Sequence, residues 1–175
     1  MKKRIIGLML VLSVILCACG SKDNSNEPSA EPSVGMANPW VDVAYEDMGK
    51  EIGLSMGIPE GAEIVNCSIL TTENLGQIIF AYEGLELCAR IKSTSEFEDI
   101  SGMYYEWDLE DDAKINYCDG KIYGYKDDTE NVHLCMWYDA APGVMYSLSA
   151  VDKDLDGFDI TVPAEQVFVP LQGEN

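Results

Sequence analysis

Cations and histidine are what this chain has least of. Its 175 residues carry 11 Lys and Arg against 31 Asp and Glu, a formal charge of −20. A surface so acidic repels phosphate backbones and anionic headgroups, which excludes general affinity for nucleic acid and charge-driven adsorption to lipid. Neutral, cationic or metallic partners remain. His133 is the single histidine and none of the six cysteines forms a Cys-x-x-Cys pair. That excludes zinc fingers and ribbons, whose tetrahedral sites need closely spaced Cys and His ligands. The sequence also lacks a phosphate loop, a nucleophile elbow and a zinc-protease motif. With these motifs missing, the expectation is a protein that is not an enzyme.

Long apolar runs are scarce too. The longest, Ile5 to Leu16, follows Lys2, Lys3 and Arg4. Twelve residues rise only about 18 Å as a helix, short of a hydrocarbon core of about 30 Å. The segment therefore reads as a cleaved secretory signal. It ends in Leu16-Cys17-Ala18-Cys19, and here the chain resembles the lipobox of bacterial lipoproteins, with Leu16 at −3, Ala18 at −1 and Cys19 as first mature residue. The resemblance implies a diacylglyceryl thioether on Cys19 and a location on the outer face of the cell membrane, lipid-anchored. Removing residues 1–18 deletes three cations and no acid, which leaves 8 Lys and Arg against 31 acids and a charge of −23.

Residues 19–37 are rich in Ser, Asn, Glu and Pro and read as a disordered tether of about 20–25 Å r.m.s. reach. Residues 38–175 suffice for a single domain. In it, Val43 to Gly53 predicts a helix, with Val43, Met48, Ile52 and Leu54 on an apolar face and Gly53 as C-cap. Strands follow at 63–70, 77–82 and 85–92, with Glu83-Gly84 as a two-residue hairpin turn. Residues 93–101 predict a short helix capped by Ser93 or Thr94. Further strands are expected at 103–107, 113–118, 121–126, 131–139 and 143–151, with Asp119-Gly120 as the sharpest hairpin signal. An extended piece at 158–162 and an edge segment at 166–171 close the chain. The expected fold is α+β, an antiparallel β-meander sheet with an N-terminal helix packed on one face.

Trp137, Gly143, Tyr146 and Leu148 over one hairpin, with Gly53 and Pro59 before the first strand, resemble extracytoplasmic domains of Gram-positive lipoproteins across about residues 43–162. That family has no established activity, so the resemblance implies location and fold only.

Three groups of residues carry candidate chemistry. Asp152, Asp154 and Asp156, followed by Gly157, match the opening half of an EF-hand loop. The second half fails, because Pro163 stands where a bidentate Glu belongs. The loop is either a looser calcium site or a solvated acidic turn. In an up-and-down meander it would share one end of the sheet with Asp108, Glu110, Asp111 and Asp112, and with Asp127, Asp128 and Glu130, an end suited to calcium or a basic protein. Aromatic residues Tyr123, Tyr125, Trp137 and Tyr146 are a candidate ligand face for a small ligand or protein, or else cross-strand packing. His133 and Cys135 share a strand face, but at about 6–7 Å they make a poor nucleophile pair. Cys67, Cys88, Cys118 and Cys135 allow two disulfides, yet a plain meander brings no neighbouring pair within bridging distance; buried free thiols are the expectation. The pairing used there sets Cys88 opposite Ile79, Cys67 near Ala81, Cys118 with Lys121 and Cys135 with Tyr123. The function expected is that of a membrane-anchored, non-enzymatic binding module, with a structural calcium-binding domain as the alternative.

Overall fold

The computed structural model describes residues 39–170; the expected signal at 1–18, Cys19 and the expected tether at 19–37 lie outside the described residues, as does the end of the expected 166–171 segment. The strands are β1 (Trp40–Asp42), β2 (Glu63–Leu70), β3 (Leu75–Tyr82), β4 (Leu85–Ser93), β5 (Leu109–Ile115), β6 (Cys118–Lys126), β7 (Asn131–Asp139) and β8 (Val144–Asp152). Two short helices accompany them, α1 (Tyr45–Ile52) and α2 (Thr161–Val167). All eight strands join one antiparallel sheet in the order β1-β2-β3-β4-β8-β7-β6-β5. It is two four-stranded meanders joined at β4 and β8, and residues 94–108 carry the chain from β4 to the far edge. Helices of 8 and 7 residues make the domain mostly β, which corrects the α+β expectation while the antiparallel meander is present.

Each face of the sheet has its own core. On the helix face, Ile78, Phe80, Leu87, Ile91, Trp137, Tyr146 and Leu148 pack under Met48 and Ile52 of α1, Leu54, Met56, Leu155 and Ile160, and Ala164 and Val167 of α2. On the crossover face, Leu75, Ile100, Leu134, Met136 and Met145 form a smaller cluster, with Trp40, Trp107 and Tyr123 at its margin. Strands buried on both faces lose the alternation that marks a half-solvated strand, and β8 is buried from Val144 to Ala150.

Local chemistry sets the turns. Glu83 and Gly84 both take positive φ, 51° and 85°, the two left-handed residues a tight hairpin requires. The β5–β6 turn falls at Asn116-Tyr117, with Ile115 opposite Cys118 and Asn116 at φ 53°, rather than at Asp119-Gly120. Packing decides this. A Cβ on Gly120 would stand 2.6 Å from the Met136 carbonyl oxygen and 3.0 Å from Trp137 Cβ, so this glycine makes room for the β7 backbone at Met136 and Trp137 instead of turning the chain. Asn tolerates the left-handed region and takes the turn. Cys118 therefore faces Ile115, not Lys121, and the β6–β7 register, set by the 127–130 turn, places Cys135 opposite Ile122, not Tyr123. Cys67 lies opposite Ile78, not Ala81, while Cys88 does face Ile79.

Other expectations are also corrected. Residues 94–108 form neither the short helix nor the strand predicted for them. Side chains there bond to nearby backbone, which competes with regular structure. Thr94 Oγ1 accepts from the Glu96 N–H at 3.3 Å, and Asp99 Oδ1 accepts from the Ser101 N–H at 2.8 Å and hydroxyl at 2.6 Å. Arg90 pins the segment by donating from Nη1 to the carbonyls of Ile100 (3.2 Å) and Ser101 (2.7 Å) and from Nε to Gln77 (2.9 Å). Its guanidinium also lies 5.4 Å from the Trp40 ring centroid. The final strand is replaced by α2. Pro163 sits in its first turn, where an N–H would have no helical partner, and Asp159 Oδ1 accepts from Thr161 N–H and Oγ1.

Candidate binding surfaces

The second meander gathers acidic residues at one end of the sheet, because Leu109 faces Gly124, Lys126 faces Asn131 and Asn131 faces Asp152. Asp108, the 127–130 turn and the 152–156 loop lie there together. Glu110, Asp111 and Asp112 do not belong to a loop; they are part of strand β5. Within the 152–156 loop each carboxylate turns to its own surroundings. Asp152 Oδ1 accepts from the Asp154 N–H at 3.0 Å, Asp154 Oδ1 from the Asp156 N–H at 3.2 Å, and Asp156 pairs with Lys126 Nζ at 2.7 Å. Among the described residues no group of three His, Cys, Asp or Glu is placed to hold a metal ion. Asp127 is the most engaged acid. It accepts from the Thr129 N–H and hydroxyl, the Glu130 N–H and the Tyr125 hydroxyl. These donors, the Thr129 hydroxyl foremost, hold its carboxyl well below the ordinary range.

The four aromatic candidates separate onto two faces. Trp137 and Tyr146 are fully buried on the helix face, their rings stacked at 5.1 Å with planes 3° apart. Phe168 meets Tyr146 edge-on at 5.5 Å, and the Tyr146 hydroxyl donates to the Val169 carbonyl at 3.1 Å. These two residues are core, not ligand surface. Tyr123 and Tyr125 lie on the opposite face, half-buried, with partners that periodicity did not reveal. Tyr105 is 4.9 Å from Tyr125 and 5.3 Å from Trp107, which is 5.4 Å from Tyr123. The four rings form a tilted ladder between the crossover and β6. The Tyr-x-Trp spacing at 105–107 is the local signal for it, and that spacing equally fits the strand expected at 103–107.

His133 and Cys135 are on the helix face, but neither is equipped for nucleophilic work. The Cys135 side chain is fully buried, which pushes its thiol up to about 12. His133 stacks on Phe158 at 6.3 Å, and burial lowers its pKa against the opposing pull of a hydrogen bond to the Phe158 backbone. Cys67, Cys88, Cys118 and Cys135 are unpaired thiols.

One corner of the sheet combines open apolar space with aromatic surface. A groove of about 310 Å³ on the helix face is lined by Leu109, Ile122, His133, Phe158 and Ile160, with Asp159 at its rim. Leu109 is 46 % exposed there. An adjoining cleft of about 240 Å³ is bounded by Asp108, Tyr125, Lys126, Asn131 and Asp156. The chain matches no protein-family model, no curated protein and no solved structure.

Elsewhere, a cleft of about 240 Å³ on the crossover face is lined by Trp40, Arg90, Lys92, Asp99, Ile100 and Tyr104. Its two cations are committed: Arg90 grips the crossover carbonyls, and Lys92 pairs with Glu98 at 3.0 Å and Glu73 at 3.7 Å.

Proposed function

We propose that the protein is a lipoprotein held on the outer face of the cell membrane through Cys19, and that its domain is a non-enzymatic binding module for an envelope protein or small ligand. The lipobox-like Leu16-Cys17-Ala18-Cys19 supports the address. The observation that carries the binding role is the β5–β6 corner, where the apolar groove beside Leu109 backs onto the ladder of Tyr105, Trp107, Tyr123 and Tyr125 within an acidic rim. Tyr and Trp supply large contact area with a polar handle, the composition that recognition surfaces favour.

Two measurements test this. Labelled palmitate should enter the wild-type chain and sediment with membranes, and Cys19→Ser should abolish both. A photo-crosslinking residue at position 109 should give a discrete adduct in intact cells that Tyr105→Ala weakens, whereas the same probe at exposed Ser55 should not. The competing reading, a calcium-clamped domain built on Asp152, Asp154 and Asp156, predicts a rise in melting temperature with millimolar Ca²⁺ over EGTA that Asp154→Asn removes. The binding-module reading predicts the same small charge-screening shift in both proteins.

A further inference from the structure

The two edges of this sheet are unlike. β1 offers only three residues, Trp40–Asp42. Beyond it β2 is interrupted by a bulge between Ile64 and Asn66, and short edges and bulges block further strand pairing. β5 is the other edge. Its seven residues pair with β6 in seven consecutive steps without a register shift, and it is last in the strand order. Alternate N–H and C=O groups of β5 therefore face away from the sheet, in the arrangement that accepts an added strand. The flanks define what would fit. Glu110, Asp111 and Asp112 are exposed along this edge, while the cations nearest them are engaged, Lys121 with Glu110 and Lys114 with Asp119. A second copy laid on the same edge would set carboxylate against carboxylate, which disfavours self-pairing. A strand bearing Lys or Arg meets opposite charge. On one side of this edge, the groove at Leu109 and Phe158 accepts an apolar side chain.

We propose that the open β5 edge binds an extended segment of a partner protein, with basic and apolar residues alternating, by adding it as a ninth strand. This deepens the binding-module reading above and rests on it: the partner's backbone pairs with β5, its basic side chains meet Glu110 and Asp112 on the crossover face, and an apolar residue enters the groove on the Leu109 face.

The test uses the full lipidated chain in neutral detergent, and a seven-residue peptide of alternating Lys and Val with blocked ends. Amide exchange within 109–115 should slow by ~10-fold or more on saturation. The same peptide N-methylated at alternate residues keeps its charge but cannot form the ladder, and should not slow exchange. Glu110→Lys with Asp112→Lys should weaken peptide binding by ~10-fold or more. Equal binding of the N-methylated peptide, protection confined to other strands, or no binding by wild-type protein would each overturn the proposal. So would concentration-dependent protection of 109–115 without peptide, which would make a second copy the occupant. The N-methyl comparison needs no variant to fold. A chain that gives its adduct in cells yet shows no protected β5 loses only the edge assignment; a chain with no adduct loses the binding-module reading as well.

Discussion

The two faces of the sheet are buried by different means. The helix face is covered by two helices and the segments after them, over a continuous apolar cluster from Met48 to Phe168. The crossover face is covered by a segment with no regular structure, with a cluster of five buried residues; bonds from Arg90 and from the Thr94 N–H to the Gly143 carbonyl tie that cover to the sheet, and Thr94 and Asp99 side chains brace it internally. Dispersion and the hydrophobic effect are spread over many contacts and tolerate no local release. A cover held by a few polar bonds can loosen while the sheet beneath stays folded. The helix face thus carries global stability. The crossover face positions Tyr105 and Trp107, and so shapes the aromatic half of the candidate surface.

That contrast can be broken most forcefully at Trp137. Trp137→Ala empties a fully buried site stacked on Tyr146 and should cost about 3–5 kcal/mol, read as a fall in denaturant midpoint of the whole domain. Trp137→Phe should cost far less, since the indole N–H it removes has no hydrogen-bond partner. Equal losses in both variants would mean that the ring's bulk is not what matters.

Cysteine chemistry sharpens the same contrast. Cys135 is fully buried on the helix face, with its thiol pushed up to about 12. Cys88 is half-buried on the other face, raised by burial but drawn back by the nearby Arg90 cation. In the native protein at pH 8, iodoacetamide should modify Cys88 at least ~100-fold faster than Cys135, and mass spectrometry of timed digests measures it. Comparable rates would show that the helix face opens as readily as the crossover face.

The crossover clamp should give an intermediate effect. Arg90→Met removes charge-assisted bonds to Ile100 and Ser101 and should cost about 2 kcal/mol. Gly102→Ala forces a Cβ against Arg90 at φ 66° and should cost about 1 kcal/mol. In both, amide exchange and proteolysis should accelerate first within 94–108. Uniform acceleration across β7 and β8 would contradict separate covers.

The smallest effect lies at the exposed 127–130 turn. The folded-state pKa of Asp127 is held below its ordinary value by the Thr129, Glu130 and Tyr125 donors, so its contribution is complete above about pH 4 and is lost as pH falls toward the folded value. The melting-temperature gap between wild type and Asp127→Ala should be full near neutrality and close in acid. A gap that widens in acid would reverse the sign and sink the assignment.

Much of the fold was legible. Strands 63–70 and 131–139 follow from apolar patterning, and the β3–β4 hairpin from Glu83-Gly84, because turn and strand signals are local. Gly53 ends α1 at φ 74°, donating its N–H to the Gly49 carbonyl, where the sequence placed a C-cap. The candidate surface was only half legible. Tyr123 and Tyr125 stand out in the sequence, but alternation cannot say which face of a doubly covered sheet is core, so it does not separate them from Trp137 and Tyr146. The groove at Leu109 and Phe158 joins residues 49 positions apart and leaves no local signal.

By itself the amino-acid sequence determined the acidic character, the lipobox-like motif ahead of the domain, and the hairpins whose turns need left-handed or very small residues. Tertiary structure alone decided that β8 returns to pair with β4, that Asp119-Gly120 lies within a strand beneath Trp137, and that 94–108 stays irregular under the grip of Arg90. The physical reason is the same in each case. Backbone preferences act over a few residues, whereas the fit of Gly120 against the β7 backbone or of two carbonyls on a guanidinium exists only once distant strands have met.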